Sequence, residues 1–110
     1  MEITWPDFEK VDIRVGTVVD ALAHEKARNP ALKIWIDFGA LGVRQSSAQI
    51  THHYQPEDLI GKQVVGVVNF PPKLIGGFTS ECLVLGIYGP DGTVVLIKPD
   101  FPMPNGSKIG

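Results

Sequence analysis

Val11-Asp12-Ile13-Arg14-Val15-Gly16-Thr17-Val18-Val19-Asp20-Ala21 is the stretch whose reading decides the fold. Val11, Ile13, Val15, Thr17, Val19 and Ala21 share one parity, and Asp12, Arg14, Gly16, Val18 and Asp20 share the other. A period of two means a long strand with one buried face. Gly16, in its middle, marks a place where such a strand bends or bulges. Upstream, Trp5-Pro6-Asp7-Phe8-Glu9-Lys10 reads as a single helical turn, because the fixed φ of proline suits the first helical position.

Downstream, the segment from His24 to Asn29 is polar and Asn29-Pro30 signals a turn. Leu32, Ile34, Ile36 and Phe38 then alternate with Lys33, Trp35 and Asp37, which predicts a second strand. Gly39 and Gly42 bracket a hairpin into Val43–Ile50, and Pro56–Gly61 reads as a short helix. Val64-Val65-Gly66-Val67-Val68 is an apolar run of buried-strand length. The segment from Pro71 to Gly77 reads as a loop. Cys82–Ile87 and Thr93–Lys98 flank Gly89-Pro90-Asp91-Gly92 as a hairpin. Pro99, Pro102 and Pro104 bar the tail from regular helix or central strand. Five or six strands with only short helical pieces predict an all-β, closed or nearly closed antiparallel barrel, since closure removes exposed edges. With no repeat or linker, residues 1–110 read as one domain.

The chain has 110 residues, 44% of them hydrophobic and 20% charged, the composition of a globular protein rather than a disordered one. No apolar run approaches the roughly 18 residues of a membrane span. Met1-Glu2-Ile3-Thr4-Trp5-Pro6 has neither a basic segment nor an apolar core, so no export signal is expected. Cys82 is the lone cysteine, which excludes an internal disulfide and fits a reducing compartment; a cytoplasmic location is expected. Net charge is −2, yet the charges are uneven. Residues 26–73 carry six basic side chains (Lys26, Arg28, Lys33, Arg44, Lys62, Lys73) against three acidic ones (Asp37, Glu57, Asp58). One face of an acidic protein can therefore be locally positive, although a solvated surface with chance clustering has the same composition.

Little in the chain points to chemistry. Adjacent histidines on a strand, such as His52-His53, point to opposite faces and do not share a metal easily. Cys82 lies in an apolar strand, as a buried small hydrophobe does. Gly76-Gly77 lacks the spacing of a phosphate loop, and no paired carboxylates flank a cleft. Neither an enzyme nor a cofactor nor a metal is expected. Small polar side chains are dense instead: Arg44-Gln45-Ser46-Ser47-Ala48-Gln49, Asn69, and Thr79-Ser80-Glu81. Amides and hydroxyls read base edges and 2′-hydroxyls, while Lys33, Arg44 and Lys73 can meet phosphate. The same groups can equally satisfy barrel edges and cap turns. Trp35, Phe70 and Phe78 are candidate stacking surfaces.

Val11-Asp12-Ile13-Arg14-Val15-Gly16, Ser46-Ser47-Ala48-Gln49-Ile50, Val68-Asn69-Phe70-Pro71-Pro72-Lys73 and Pro104-Asn105-Gly106-Ser107-Lys108-Ile109-Gly110 occur in one order without large insertions. Together they resemble the CsaA-like free-standing tRNA-binding domain family, from about Phe8 to Gly110. That resemblance implies an OB-fold, a five-stranded Greek-key barrel with short helical segments, assembled as a homodimer. It implies tRNA as partner, contacted by shape more than by sequence, as by the domains appended to some methionyl- and phenylalanyl-tRNA synthetases. The family's binding face maps onto Lys33, Ser80 and Leu83, with Ser47, Asn69 and Glu81 beside them and Arg44 and Lys73 in support. Leu83 stands where many relatives carry Met, and Cys82 where many carry Gly. A second expectation, also from the resemblance, is an export-linked chaperone that binds unfolded or preprotein polypeptides through apolar residues such as Phe70, Ile75 and Phe78.

Overall fold

The computed structural model describes all 110 residues. In chain order the elements are α1 (Trp5–Glu9), β1 (Ile13–Ala23), β2 (Leu32–Asp37), a 3-10 turn (Gly39–Leu41), β3 (Val43–Ala48) and α2 (Pro56–Leu59). They continue with β4 (Gln63–Val67), β5 (Lys73–Ile75), β6 (Phe78–Ser80), β7 (Leu83–Val84), β8 (Gly86–Tyr88) and β9 (Val94–Leu96). The main sheet has the order β3-β2-β1-β4-β7, antiparallel throughout, and curls into a nearly closed five-stranded barrel of OB type. Two hairpins, β5–β6 and β8–β9, are attached to it. No helix is long and apolar enough to cross a membrane.

The long strand is present, but its faces differ from the simple alternation. Val18 pairs with Ile36 and Asp20 with Trp35, so Val19 is the extra residue of a β-bulge. Inward positions are therefore Gly16 and Val18 before the bulge and Ala21 after it, while Val19 and Leu22 are exposed. A bulge adds one residue to one strand only, so every side chain beyond it changes face. Gly16 does mark a crossing. A Cβ there would lie 2.5 Å from Ile36 Cγ2, 2.8 Å from Phe38 Cδ1 and 2.9 Å from the Asp37 carbonyl oxygen. Its bare backbone lets the end of β2 pass over β1.

β2 follows its expected alternation: Leu32, Ile34 and Ile36 are buried, while Lys33, Trp35 and Asp37 are half-buried on the other side. Ile34, Ile36, Phe38, Leu59, Val18 and Val64 form the best-buried part of the core. Burial of each large side chain contributes roughly 1.5–3 kcal/mol. The run Val64–Val68 is buried throughout, as its apolar composition requires.

Residues 71–77 are not simply a loop. Lys73–Ile75 pairs with Phe78–Ser80, and Gly76 and Gly77 form the two-residue turn between them. Both glycines have positive φ (54° and 77°), which a tight hairpin of the right twist demands and other residues resist. The proline-rich tail runs irregularly beside the first half of β1. There Gly106 N donates to Val15 O (2.7 Å), Val15 N to Ser107 O (3.0 Å) and Ile109 N to Ile13 O (2.9 Å). The Arg14 guanidinium donates to Gly106 O (3.0 Å) and holds Asp12 at 2.6 Å, and the Thr17 hydroxyl donates to Asn105 Oδ1 (2.7 Å).

Between β3 and the chain entering β7, side chains complete the closure. Glu81 N donates to Gln45 O (2.8 Å), and Gln45 N donates back to the Glu81 carboxylate (3.1 Å). The buried Ser46 hydroxyl donates to Cys82 O (2.8 Å), and Ser47 N donates to Ser80 Oγ (3.2 Å). Burial in this seam pushes the Cys82 thiol up to about 11.

Two outcomes test this account. Gly16→Val should lower stability by roughly 1–3 kcal/mol through overpacking against Ile36 and Phe38, read as a fall in the denaturant midpoint. Cys82 should stay unmodified by a thiol reagent at pH 8 in the native protein and react at once in denaturant, because the folded thiol is both covered and protonated.

Candidate nucleic-acid interface

The outward side of the sheet at β1, β2 and β3 is built from two cross-strand rows. Leu22, Lys33 and Ser47 form one, and Asp20, Trp35 and Gln45 form the other. The β5–β6 hairpin folds over their ends. Phe78 is buried there, with the Lys33 ammonium 5.2 Å above its ring and Trp35 edge-on at 5.7 Å. The Trp35 indole N–H donates to Gln45 Oε1 (3.2 Å), and the Gln45 amide donates to Thr79 O (2.8 Å). These bonds fix the rings and amides in place, so the surface is preorganised.

His24, at the end of β1, is buried beside them. Its Nδ1 lies 2.8 Å from Ser47 Oγ, and its ring packs on Phe78 at 5.6 Å. No pattern in the sequence distinguished this histidine, because its burial comes from the hairpin closing over it and not from its neighbours in the chain.

Lys33, Ser47, Ser80 and Glu81 are brought together on this face, with Lys73 directly opposite Ser80 in the β5–β6 hairpin. Leu83 is 48% exposed and shares with Ser47 the wall of a cleft of about 520 Å3 between the end of β3 and β7–β9. Arg44 and Asn69 are placed differently. Arg44 has the parity of Ser46, facing the barrel interior, and donates to Val68 O (2.6 Å). Asn69 accepts from Asp12 N (3.0 Å) and donates to Lys10 O (2.6 Å), tying β4 to the segment before β1. Both side chains are occupied in holding the fold. Of the stacking candidates, Phe78 is packed into the face, Trp35 is half-buried and Phe70 is exposed.

Four of the six central cations border the β5–β6 hairpin. Lys26 presents its backbone to Gly76, Arg28 lines a small cleft with Ile75, Lys33 covers Phe78, and Lys73 begins β5. None of the four is in an ion pair, since the molecule's single salt bridge is Arg14–Asp12. No three His, Cys, Asp or Glu side chains are grouped to hold a metal ion, and His53 instead lies 3.1 Å from the Thr93 hydroxyl.

Residues 13–108 match the family model described as "Putative tRNA binding domain". The crystal structure of chaperone CsaA from Bacillus anthracis superposes over the full length of both chains with a TM-score of 0.95 and 54% identity. A MetRS-related protein from Pyrococcus horikoshii superposes over both full chains at 0.87 with 31% identity. The methionine–tRNA ligase of Porphyromonas gingivalis is 40% identical over 108 residues, 98% of this chain but 16% of the ligase, so the chain spans about one-sixth of that relative's length. By family match, fold and sequence identity together, the chain belongs to the tRNA-binding domain family.

Proposed function

We propose that this protein is a non-enzymatic, cytoplasmic tRNA-binding protein that acts as a homodimer and uses the outward face of β2–β3 with the β5–β6 hairpin. The observation that carries the reading is the gathering of Arg28, Lys33 and Lys73, none in an ion pair, around one preorganised polar face in a chain of net charge −2. Phosphate attraction supplies affinity in such an arrangement, and fixed hydroxyls and amides supply recognition of shape and 2′-hydroxyls. Ser47 and Ser80 offer hydroxyls there, and Leu83 offers an apolar wall. Glu81, already bound to Gln45 N, orients the seam beneath them. Arg44 supports the sheet from its inner side through Val68 O, while Asn69 acts away from this face, holding the segment before β1.

Exposed apolar residues favour association with a second copy. Ile3 and Trp5 at the N-terminus are 64% and 66% exposed, and Ile87, Tyr88 and Val95 on the β8–β9 hairpin are 60%, 83% and 46% exposed. A 110-residue barrel gains stability by covering them.

A second reading is supported by apolar groups near the same face. Phe70 and Leu74 are 54% and 70% exposed, whereas the expected contributors Ile75 and Phe78 are half-buried and buried. An extended, unfolded polypeptide could lie along Phe70, Leu74 and Leu83, which fits a chaperone role linked to export.

Anisotropy titration with deacylated tRNA should show tighter binding than a duplex of equal length, and no preference at moderate salt would remove the tRNA reading. Lys33→Ala should weaken binding by about 1 kcal/mol, roughly fivefold, with an unchanged melting temperature. Sedimentation at micromolar concentration should give a dimer; a stable monomer would contradict the assembly. Suppression of aggregation of an unfolded client, competed by tRNA, is expected if the second reading holds at the same surface.

A further inference from the structure

Three clefts open side by side and share walls. The cleft of about 520 Å3 at β3 and β7–β9 includes Ser47 and Gln49 in its lining. A small cleft of about 80 Å3 is lined by Arg28, Asn29, Ser47, Gln49 and Ile75 among others. A third, of about 380 Å3 beneath the β1–β2 connection, is lined by Ala27, Arg28 and Ala31 together with His24 and Thr51. Ser47 and Gln49 join the first to the second, and Ala27, Arg28 and Ala31 join the second to the third. The three are therefore neighbours along one side of the barrel, a trough interrupted by shared residues, with Arg28 lining the second and third.

The second, small cleft has the chemistry of an anion site. Arg28, Asn29 and Gln49 are exposed and make no side-chain hydrogen bond within the protein, so their polar groups are free to meet a ligand. Together they supply a donor-only guanidinium and two amides whose NH2 groups can donate, and no carboxylate lines this cleft. Glu25, the one acid of the adjoining cleft, forms no ion pair with Arg28. The space equals roughly two to three water molecules, which suits one tetrahedral group and is too small for a base.

We propose that the trough receives a single RNA strand and that Arg28, with Gln49 and Asn29, binds one of its backbone phosphates. This rests on the tRNA reading and deepens it, giving Arg28, one of the cations already placed around that face, a specific phosphate contact on the β1–β2 connection. The planar guanidinium takes two phosphate oxygens at once, which a lysine at that point does not. Charge complementarity selects RNA as the occupant, since Arg28, Lys33 and Lys73 border the same side.

The test is tRNA titration of the full chain over a range of salt, comparing Arg28→Ala, Arg28→Lys, Gln49→Ala, Lys33→Ala and Lys62→Ala. Arg28→Ala is expected to weaken binding about tenfold and to reduce the slope of log affinity against log salt by about 0.7–0.9, one phosphate's worth. Arg28→Lys should restore the slope but only part of the affinity, and Gln49→Ala should cost about threefold. Lys62→Ala, a cation that lines none of the three clefts, should leave binding unchanged. Melting temperatures should not move, because the Arg28 side chain makes no internal bond. If tRNA binds and Lys33→Ala weakens it while Arg28→Ala does not, the Arg28 site is wrong and the tRNA reading stands. Equal losses from Lys62→Ala and Arg28→Ala would also overturn the site, showing diffuse attraction instead. No tRNA binding by the parent protein removes both.

Discussion

A sheet of five strands closes into a barrel only if its last strand finds its first, and here the two meet through one main-chain bond and several side-chain bonds. β7 is two residues long, too short to pair with β3 by a regular ladder, and the backbone before it is held by the Gln45–Glu81 exchange, the Ser46 hydroxyl on Cys82 O and Ser80 Oγ on Ser47 N. Each of these bonds contributes only about 1 kcal/mol, but a buried carbonyl or amide left without its partner costs more. The seam thus holds the barrel shut and also brings Ser80 to Ser47, the cross-strand neighbour of Lys33, with Leu83 in the wall of the cleft that Ser47 lines. The candidate site is the outer surface of that closure.

Three of the four stretches that carry the family resemblance act away from this seam, around the start of β1. Arg14, from the stretch at the start of β1, grips the carbonyl of Gly106 in the tail, and Asn69 holds Asp12 and Lys10. Gly106 has φ 91° and would place a Cβ 2.6 Å from Phe38 O, so the tail lies on the end of β2 only with glycine there. The first and last of these stretches latch the tail to β1, and the Asn69 stretch ties β4 to the segment before β1. The remaining stretch, Ser46–Ile50, belongs to both duties, closing the seam with Ser46 and facing the trough with Ser47 and Gln49.

The strand alternation was legible wherever burial alone determined it, as in Leu32, Ile34 and Ile36 against Lys33, Trp35 and Asp37. It failed at Val19, because a bulge depends on how two strands meet and leaves no trace in the composition of one. The hairpin at Gly76-Gly77 was hidden for a related reason: strands of three residues are too short for a period to register. Among site residues, Lys33, Ser47, Ser80 and Glu81 fall together, whereas Arg44 and Asn69 carry the right chemistry but spend it on backbone carbonyls and amides. Parity does separate Arg44 from Lys33 once the β2–β3 register is known, yet that register is itself a tertiary fact.

By itself the sequence determined that the chain is an all-β domain with a long first strand, a lone unreactive-type cysteine and a basic central segment, since these follow from local period and composition. The tertiary structure alone decided which cations gather. Arg28, Lys33 and Lys73 are spread over 46 residues of chain and meet because the β5–β6 hairpin folds back over the β1–β2 connection. Position along a chain does not encode distance across a closed barrel, and an electrostatic surface is a property of distance.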